Sequence, residues 1–241
     1  MTVRRTVRII GTLLITAGAL TLLWAFVVWQ WQDPFTALYT KWKQHELTRQ
    51  YDKRVAAFRP RPISNVSLAA ERRAIAAEAK QYRKQSATGA AIGRIRVPRM
   101  HLNMILVNGT DHDTLKKGPG RDLRTFMPGE NRLVYIAGHR TTYLAPFSHI
   151  DQMRKGDPIT IEVPYATFTY RMSGARIVPA DDLAVLRSPR HEVVELQACH
   201  PRFFATHRYI VYGQLTHVAP RGGTPYDTGI QATAQAQPSG R

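Results

Sequence analysis

The chain has 241 residues, 34 Lys plus Arg against 17 Asp plus Glu, a formal net charge of +17, and one cysteine. A single cysteine excludes an internal disulfide and any zinc or iron–sulfur site built on several thiolates. The positive charge suits anionic lipid or an acidic cell-wall polymer, while the basic residues are spread from Arg4 to Arg241 with no interleaved aromatics, so no nucleic-acid partner is expected.

Residues 9–29 carry no charge, and at ~1.5 Å per residue they reach roughly 30 Å, the thickness of a hydrocarbon core. Trp24, Trp29 and Trp31 cluster toward the end of this run, where an interfacial belt would hold them. A cleaved signal peptide would have an apolar core of about 7–15 residues followed by small residues; this run is longer and ends in bulky aromatics, so an uncleaved anchor is expected. Arg4, Arg5 and Arg8 precede it, and Lys41, Lys43, Arg49, Lys53 and Arg54 follow it, so the charge rule alone leaves the orientation open. The expected arrangement is a cytoplasmic N-terminus with the body outside the cell. Residues 1–33 are then a stub and anchor.

Residues 34–90 read as a helical stalk or lead-in. The stretch 35–58 is rich in Lys, Gln, Leu and Ala and is broken by Arg59-Pro60-Arg61-Pro62. Residues 68–85 are alanine-rich and charged and predict a second helix, with Gly89 in the connection that follows. From Ala91 the pattern changes. Residues 93–98 alternate apolar and basic side chains, and short apolar runs follow at 104–107, 133–137, 159–163, 167–177, 193–198 and 209–215. Seven or so short strands with turn signals between them predict an all-β barrel or sandwich over 91–218. Residues 219–241 are Pro, Gly, Thr, Gln and Ala with little to bury, and predict a disordered tail.

Two strand ends carry reactive residue types. One is Ala137-Gly138-His139-Arg140-Thr141-Thr142-Tyr143; the other is Ala198-Cys199-His200-Pro201-Arg202, with Arg208 opening the next strand. Acyl transfer needs a nucleophile, a proton carrier near neutrality and donors for an oxyanion. Cysteine, histidine and arginine supply them. The same residues admit a plain reading, since free cysteine is commonly a buried small hydrophobe. By composition His139 has no better claim than His200 or His207, and Arg202 competes with Arg208. The spacing of His149, His200 and His207 matches no zinc motif, and no metal is expected.

Several blocks in order give the chain a family resemblance: IGRIRVP at 92–98, LKKGPG at 115–120, AGHRTTYLAPF at 137–147 and CHPRFFATHRYIV at 199–211. Residues 91–218 resemble a sortase, and among sortases class E of high-GC Gram-positive bacteria. The resemblance implies an eight-stranded sortase-type β-barrel with short connecting helices, and a cysteine transpeptidase with Cys199 as nucleophile, His139 as acid/base and Arg208 at the oxyanion. It implies Tyr143 as a substrate-binding residue, with Thr141 and Ala198 in the same blocks as further candidates. It implies cleavage of an LAXTG- or LPXTG-like C-terminal motif of secreted proteins between Thr and Gly, through a thioester that passes to a cell-wall or pilin amine; the sequence offers no acidic cluster suggestive of a calcium site, so no cofactor is expected. Sortases usually have Thr where this chain has Ala198. Two alternatives stand beside this reading. One is another cysteine peptidase or an L,D-transpeptidase, although the latter typically shows Ser-His-Gly before its cysteine. The other is a basic, membrane-tethered module that binds anionic cell-wall polymer without catalysis.

Overall fold

The structure, a computed structural model, describes residues 3–31, 34–60 and 67–229. Three helices come first: α1 (Val3–Trp31), α2 (Pro34–Ala57) and α3 (Leu68–Gln85). Local chemistry sets the start of α3, where the Ser67 hydroxyl accepts from the Ala70 amide and Glu71 lies in the first turn; Arg83 and Lys84 lie in the last turn, where the helix dipole favours cations. In α1 the stretch Val3–Val27 is long and apolar enough to cross a membrane, and none of it is buried in the protein. The side chains of Trp29 and Trp31 lie outside the described residues.

Nine strands follow: β1 (Ala91–Val97), β2 (Leu102–Asn108), β3 (Gly120–Arg121), β4 (Leu133–Ala137), β5 (Pro158–Val163), β6 (Ala166–Pro179), β7 (Val193–His200), β8 (His207–Pro220) and β9 (Tyr226–Asp227). A four-residue helix, α4 (His112–Leu115), links β2 to β3. The sheet runs β6-β5-β1-β2-β3-β4-β7-β8, and β8 pairs again with β6 to close an eight-stranded barrel, as expected. β7 covers β8 as far as Gln214, and β9 takes the same edge at His217 and Val218. The seven apolar runs all become strands; the two-residue β3 carries too short a pattern to be read in the sequence.

The strand period of two divides the side chains into two sets. Val134 and Ile136 of β4 and Val194, Leu196 and Ala198 of β7 point into the main core. Leu133, Tyr135 and Ile210 face outward, where Val178 and Val185 cover them in a second apolar cluster.

The helices after α1 are integral to this domain. α3 closes one barrel end with Ile75 and Ala79 in the core, the Tyr82 hydroxyl donating to the Ile92 carbonyl at 3.0 Å, and Arg83 bonded to both Glu130 carboxylate oxygens. α2, about 36 Å long by its residue count, lies along the barrel wall, with Leu47 and Tyr51 packed on Ala91, Ile105 and Val107. Because β3 pairs with β2 only at Val107 and Asn108, the preceding edge of β2 is open. The Gln44 side chain fills it: its Oε1 accepts from the Ile105 amide at 2.7 Å, and its Nε2 donates to the carbonyls of Ile105 (3.1 Å) and Lys117 (2.8 Å).

The expected tail is corrected over its first part. β8 continues to Pro220, the Arg221 amide donates to the Tyr165 carbonyl at 2.8 Å, and the Thr224 amide donates to Glu71 at 3.1 Å. Tyr226 packs against the core with Arg72 over its ring, which gives this polar segment an anchor. Residues 230–241 lie outside the described residues.

Gln44→Leu keeps the volume and removes both hydrogen-bonding ends, leaving the Ile105 peptide and the Lys117 carbonyl unpaired. A loss of about 1–3 kcal/mol is expected in denaturant unfolding, together with faster hydrogen exchange at the Ile105 amide. An unchanged Ile105 exchange rate would show that α2 does not seal this edge.

Candidate active site

Strand pairing gathers the predicted groups at the barrel end opposite α3. β4 runs parallel to β7, with Ala137 opposite Gln197, and one residue further the Gly138 amide donates to the Gln197 carbonyl at 3.0 Å. His139 therefore leaves β4 level with Cys199. On the other side of β7, Cys199 lies directly opposite Arg208 of β8. Ala198 points inward with no exposed surface, so its neighbour Cys199 points outward. Cys199, His139 and Arg208 all line one groove of about 270 Å³, between Tyr135 and Gln197 on the barrel and Leu183 and Leu186 of the loop after β6. Cys199, half-buried at the end of its strand, is open to reagents from the groove.

His139 is half-buried, and its Nε2 is buried without a hydrogen-bond partner. Burial, and then the charge of His112, push its pKa below the ordinary histidine value. The backbone that delivers it is tightly packed. A side chain at Gly138 would meet the Phe147 ring at 2.8–3.0 Å, and the Phe147 amide donates to the His139 carbonyl at 3.0 Å. Arg208 is held at the mouth by its Nη1, which donates to the carbonyls of Ala205 (2.8 Å) and His207 (3.0 Å).

Arg140 was not singled out in the sequence, yet it links both loops. It is 4% exposed. Its Nη2 meets Asp151 at 2.6 Å, and its Nη1 lies 2.9 Å from His200 Nδ1 and 3.4 Å from the Cys199 carbonyl. The residue following the histidine thus grips the residue following the cysteine. Arg202, the rival to Arg208, donates instead to the Ser148 carbonyl, which adds a second tie between the two loops. The only sequence signal for Arg140 is its place beside His139.

None of the three expected substrate-binding residues lines the groove itself, and they lie in different places. The Tyr143 ring lies beside that of His139, with centroids 5.1 Å apart and the planes tilted by 37°. Thr141 is half-buried in the same loop. Ala198 does not reach the groove, which corrects that expectation: its position faces the apolar interior. A threonine hydroxyl there would need a buried partner, whereas alanine needs none. His200 and His207 sit at the loop ends as supporting residues, with His207 Nδ1 2.9 Å from the Thr206 hydroxyl. No group of three or more metal-ligating side chains occurs among the described residues.

A family model described as the sortase domain matches residues 95–216. Sortase D of Bacillus subtilis is 34% identical over 132 residues, which are 53% of this chain and 65% of that protein. Sortase SrtE1 of Streptomyces coelicolor is 32% identical over 111 residues, 41% of this chain and 31% of that protein. The chain thus spans less than two thirds of these relatives. Among solved structures, sortase E1 from Streptomyces coelicolor with a tripeptide in its active site is similar at a TM-score of 0.52 and 25% identity, covering 56% of this chain and 94% of that one. A Clostridium perfringens sortase D5 transpeptidase shares the fold at a TM-score of 0.57 and 23% identity, covering 72% and 98%.

Two outcomes check this geometry. Arg140→Ala leaves Asp151 without its partner and unties the loops; a loss of about 2 kcal/mol is expected, with faster exchange of the Phe147 amide that reports on His139. Unchanged exchange would mean the loops hold without Arg140. The second concerns pH. Unfolded, His139 takes up its proton near 6.5, and folded it does so only at lower pH, so between the two the unfolded state binds more protons and acidification costs stability. Compared with His139→Gln, the wild-type chain should lose stability as pH falls through 6.5 and match its higher-pH difference above it. Parallel stability curves for the two proteins would contradict the burial of a neutral imidazole.

Proposed function

The chain belongs to the sortase family, and on that premise we propose that it is a membrane-anchored cysteine transpeptidase with Cys199 as nucleophile, His139 as acid/base and Arg208 at the oxyanion. One observation carries the reading: Cys199 and Arg208 are cross-strand partners, and His139 joins them along one groove.

The reaction proceeds in two halves. The Cys199 thiolate attacks the threonine carbonyl of a sorting motif, and negative charge moves to the carbonyl oxygen, where the Arg208 guanidinium donates. The imidazolium of His139 gives its proton to the glycine nitrogen, the C–N bond breaks, and a thioester remains on Cys199. An incoming amine attacks that thioester and passes a proton to His139, and the thiolate leaves. His139 lines the groove beside Cys199, and its Nε2 has no competing hydrogen-bond partner among the described residues. Tyr143, beside the His139 ring, and the neighbouring Thr141 are the substrate-binding candidates, carried on the loop after His139 next to the groove.

The motif is of the LAXTG or LPXTG kind, the donors are secreted proteins that carry it at their C-termini, and the acceptor is a cell-wall or pilin amine. α1 holds the enzyme in the membrane with its N-terminus cytoplasmic and the barrel outside. Burial lowers the proton affinity of His139, which narrows the population in which thiolate and imidazolium coexist, so a bell-shaped dependence of kcat/KM on pH follows.

Incubation of the full chain in detergent with a quenched LAXTG-type peptide and an amine should yield the amine-linked threonyl product. Cys199→Ala should abolish it. Arg208→Ala should lower kcat by about 10²–10³-fold with the fold retained. Product formation that survives Cys199→Ala would overturn the mechanism, and full activity in Arg208→Ala would move the oxyanion role elsewhere.

A further inference from the structure

The exposed large apolar side chains of the body gather at one end. Phe203 (62% exposed) and Phe204 (77%) stand on the β7–β8 loop, and Leu183 (67%) follows the end of β6. Ile177 is exposed two residues before β6 ends at Pro179, which pairs with His207. Leu123 lies between Asp122 and Arg124, both of which line the active groove. Leu38, Tyr39 and Trp42 are exposed on the first turns of α2. Leu68 excepted, every exposed large apolar side chain described beyond α1 belongs to this set.

α2 is fixed to the same end. The Tyr143 amide donates to the Thr36 hydroxyl at 3.1 Å, and the Thr40 hydroxyl donates to the Lys116 carbonyl at 2.8 Å. The helix then runs down the wall toward the α3 end, where the Tyr51 hydroxyl reaches the Glu162 carbonyl. Its first turn is therefore the part nearest the reactive groups. α1 ends at Trp31, and the apolar span within it ends at Val27. Even a fully extended link from Trp31 to Thr36 leaves the end of the span within about 30 Å of the Tyr143 amide, less than the roughly 37 Å diameter of a compact domain of this size. The chain therefore tethers the end of the apolar span closer to the barrel end that carries Cys199 than to the α3 end.

We infer that this rim lies on the membrane surface, seated by Phe203 and Phe204 and held in register by α2. The inference rests on the reading of α1 as a membrane anchor. Aromatic side chains at a loop tip suit the headgroup boundary, and a chain of net charge +17 is drawn to anionic lipid. Cations stand among the apolar groups: Lys41 and Arg202 are exposed, Lys43 lies over the Trp42 ring and pairs with Glu46, and Arg124 pairs with Asp122. Of the acids nearby, Asp122 and Asp113 are taken up in ion pairs, Asp182 accepts from the Ala184 amide, and Asp181 beside Leu183 is exposed. Facing the bilayer, the groove would receive its peptide and its amine along the lipid surface in preference to the bulk solvent.

Because Cys199 is the one cysteine, Cys199→Ala provides a background in which single nitroxide labels report on Phe204→Cys, on Pro225→Cys at the α3 end, and on Leu14→Cys within α1. The full chain is reconstituted in phosphatidylcholine vesicles containing phosphatidylglycerol, and the ratio of oxygen to nickel-chelate accessibility is measured at each label. The expected ratio at position 204 is several-fold above that at position 225 and approaches that at position 14. A lipid-buried label at 14 with equal, water-like ratios at 204 and 225 would overturn the inference and leave the anchor standing. A water-like label at 14 would remove the anchor itself, and the inference with it.

Discussion

The register of β7 between its two neighbours governs everything at the site. Parallel pairing with β4 sets Ala137 against Gln197, and antiparallel pairing with β8 sets Cys199 against Arg208. Side chains alternate across a strand, so a slip of one residue would turn Cys199 into the barrel and Ala198 out to the groove. The packed interior forbids that slip, because Val194, Leu196 and Ala198 fill the core in the present register with little or no exposed surface. The reactive arrangement is thus held by apolar packing on the opposite face of the same strand. No contact among the three polar groups is needed to fix it.

Closure of the barrel makes a second demand that the strands alone do not meet. β3 has two residues, so β2 keeps unpaired backbone groups along the stretch before Val107. An amide side chain has the same donor and acceptor as a peptide, and Gln44 supplies both at Ile105. This explains why a stretch that reads as a stalk is part of the fold. α2 completes the sheet edge as a strand would, and α3 stoppers the far end with Ile75 and Ala79. Neither helix has a strong reason to persist alone in water, since most helical stability in proteins comes from packing. Each is held to the barrel by a few buried side chains, Thr40, Leu47 and Tyr51 in α2 and Glu71, Ile75 and Ala79 in α3.

The elements legible in the sequence are those whose period is strong. Residues 133–137 and 159–163 read as strands because their apolar content is uninterrupted or alternates cleanly, and 68–85 reads as a helix because alanine and charged side chains fill it. Cys199 was legible as a thiol and His139 as a proton carrier, but composition could not rank His139 above His200; the family blocks did that, and the β4–β7 pairing gives the physical reason. Three features escaped because they depend on distant partners. Arg140 looked like one more surface cation, and its burial follows from Asp151 and the Cys199 carbonyl. Ala198 looked like a neighbour of the substrate and is a core residue. The segment after Val218 looked too polar to order, yet a single aromatic, Tyr226, and the Glu71 carboxylate hold it.

The loop that carries Tyr143 joins these constraints. Tyr143, Leu144 and Ala145 all have left-handed backbone angles, at φ 53°, 61° and 38°, and such residues cost about 1–2 kcal/mol each when a Cβ is present. Three in succession persist only where the surroundings insist on them. Ala145 donates to the Thr142 carbonyl and is buried with Phe147 beneath the His139 backbone. On the outer side, the Tyr143 amide is met by Thr36 of α2. The unfavourable conformation is therefore balanced between the barrel core on one face and the lead-in helix on the other, with the His139 ring resting on Tyr143 between them. If α2 were displaced, the loop would lose one of its two supports and could relax toward ordinary backbone angles, carrying the Tyr143 ring away from the imidazole. The position of His139 is in this way tied to the chain that emerges from α1, and a barrel without its lead-in would keep Cys199 and Arg208 paired while loosening His139.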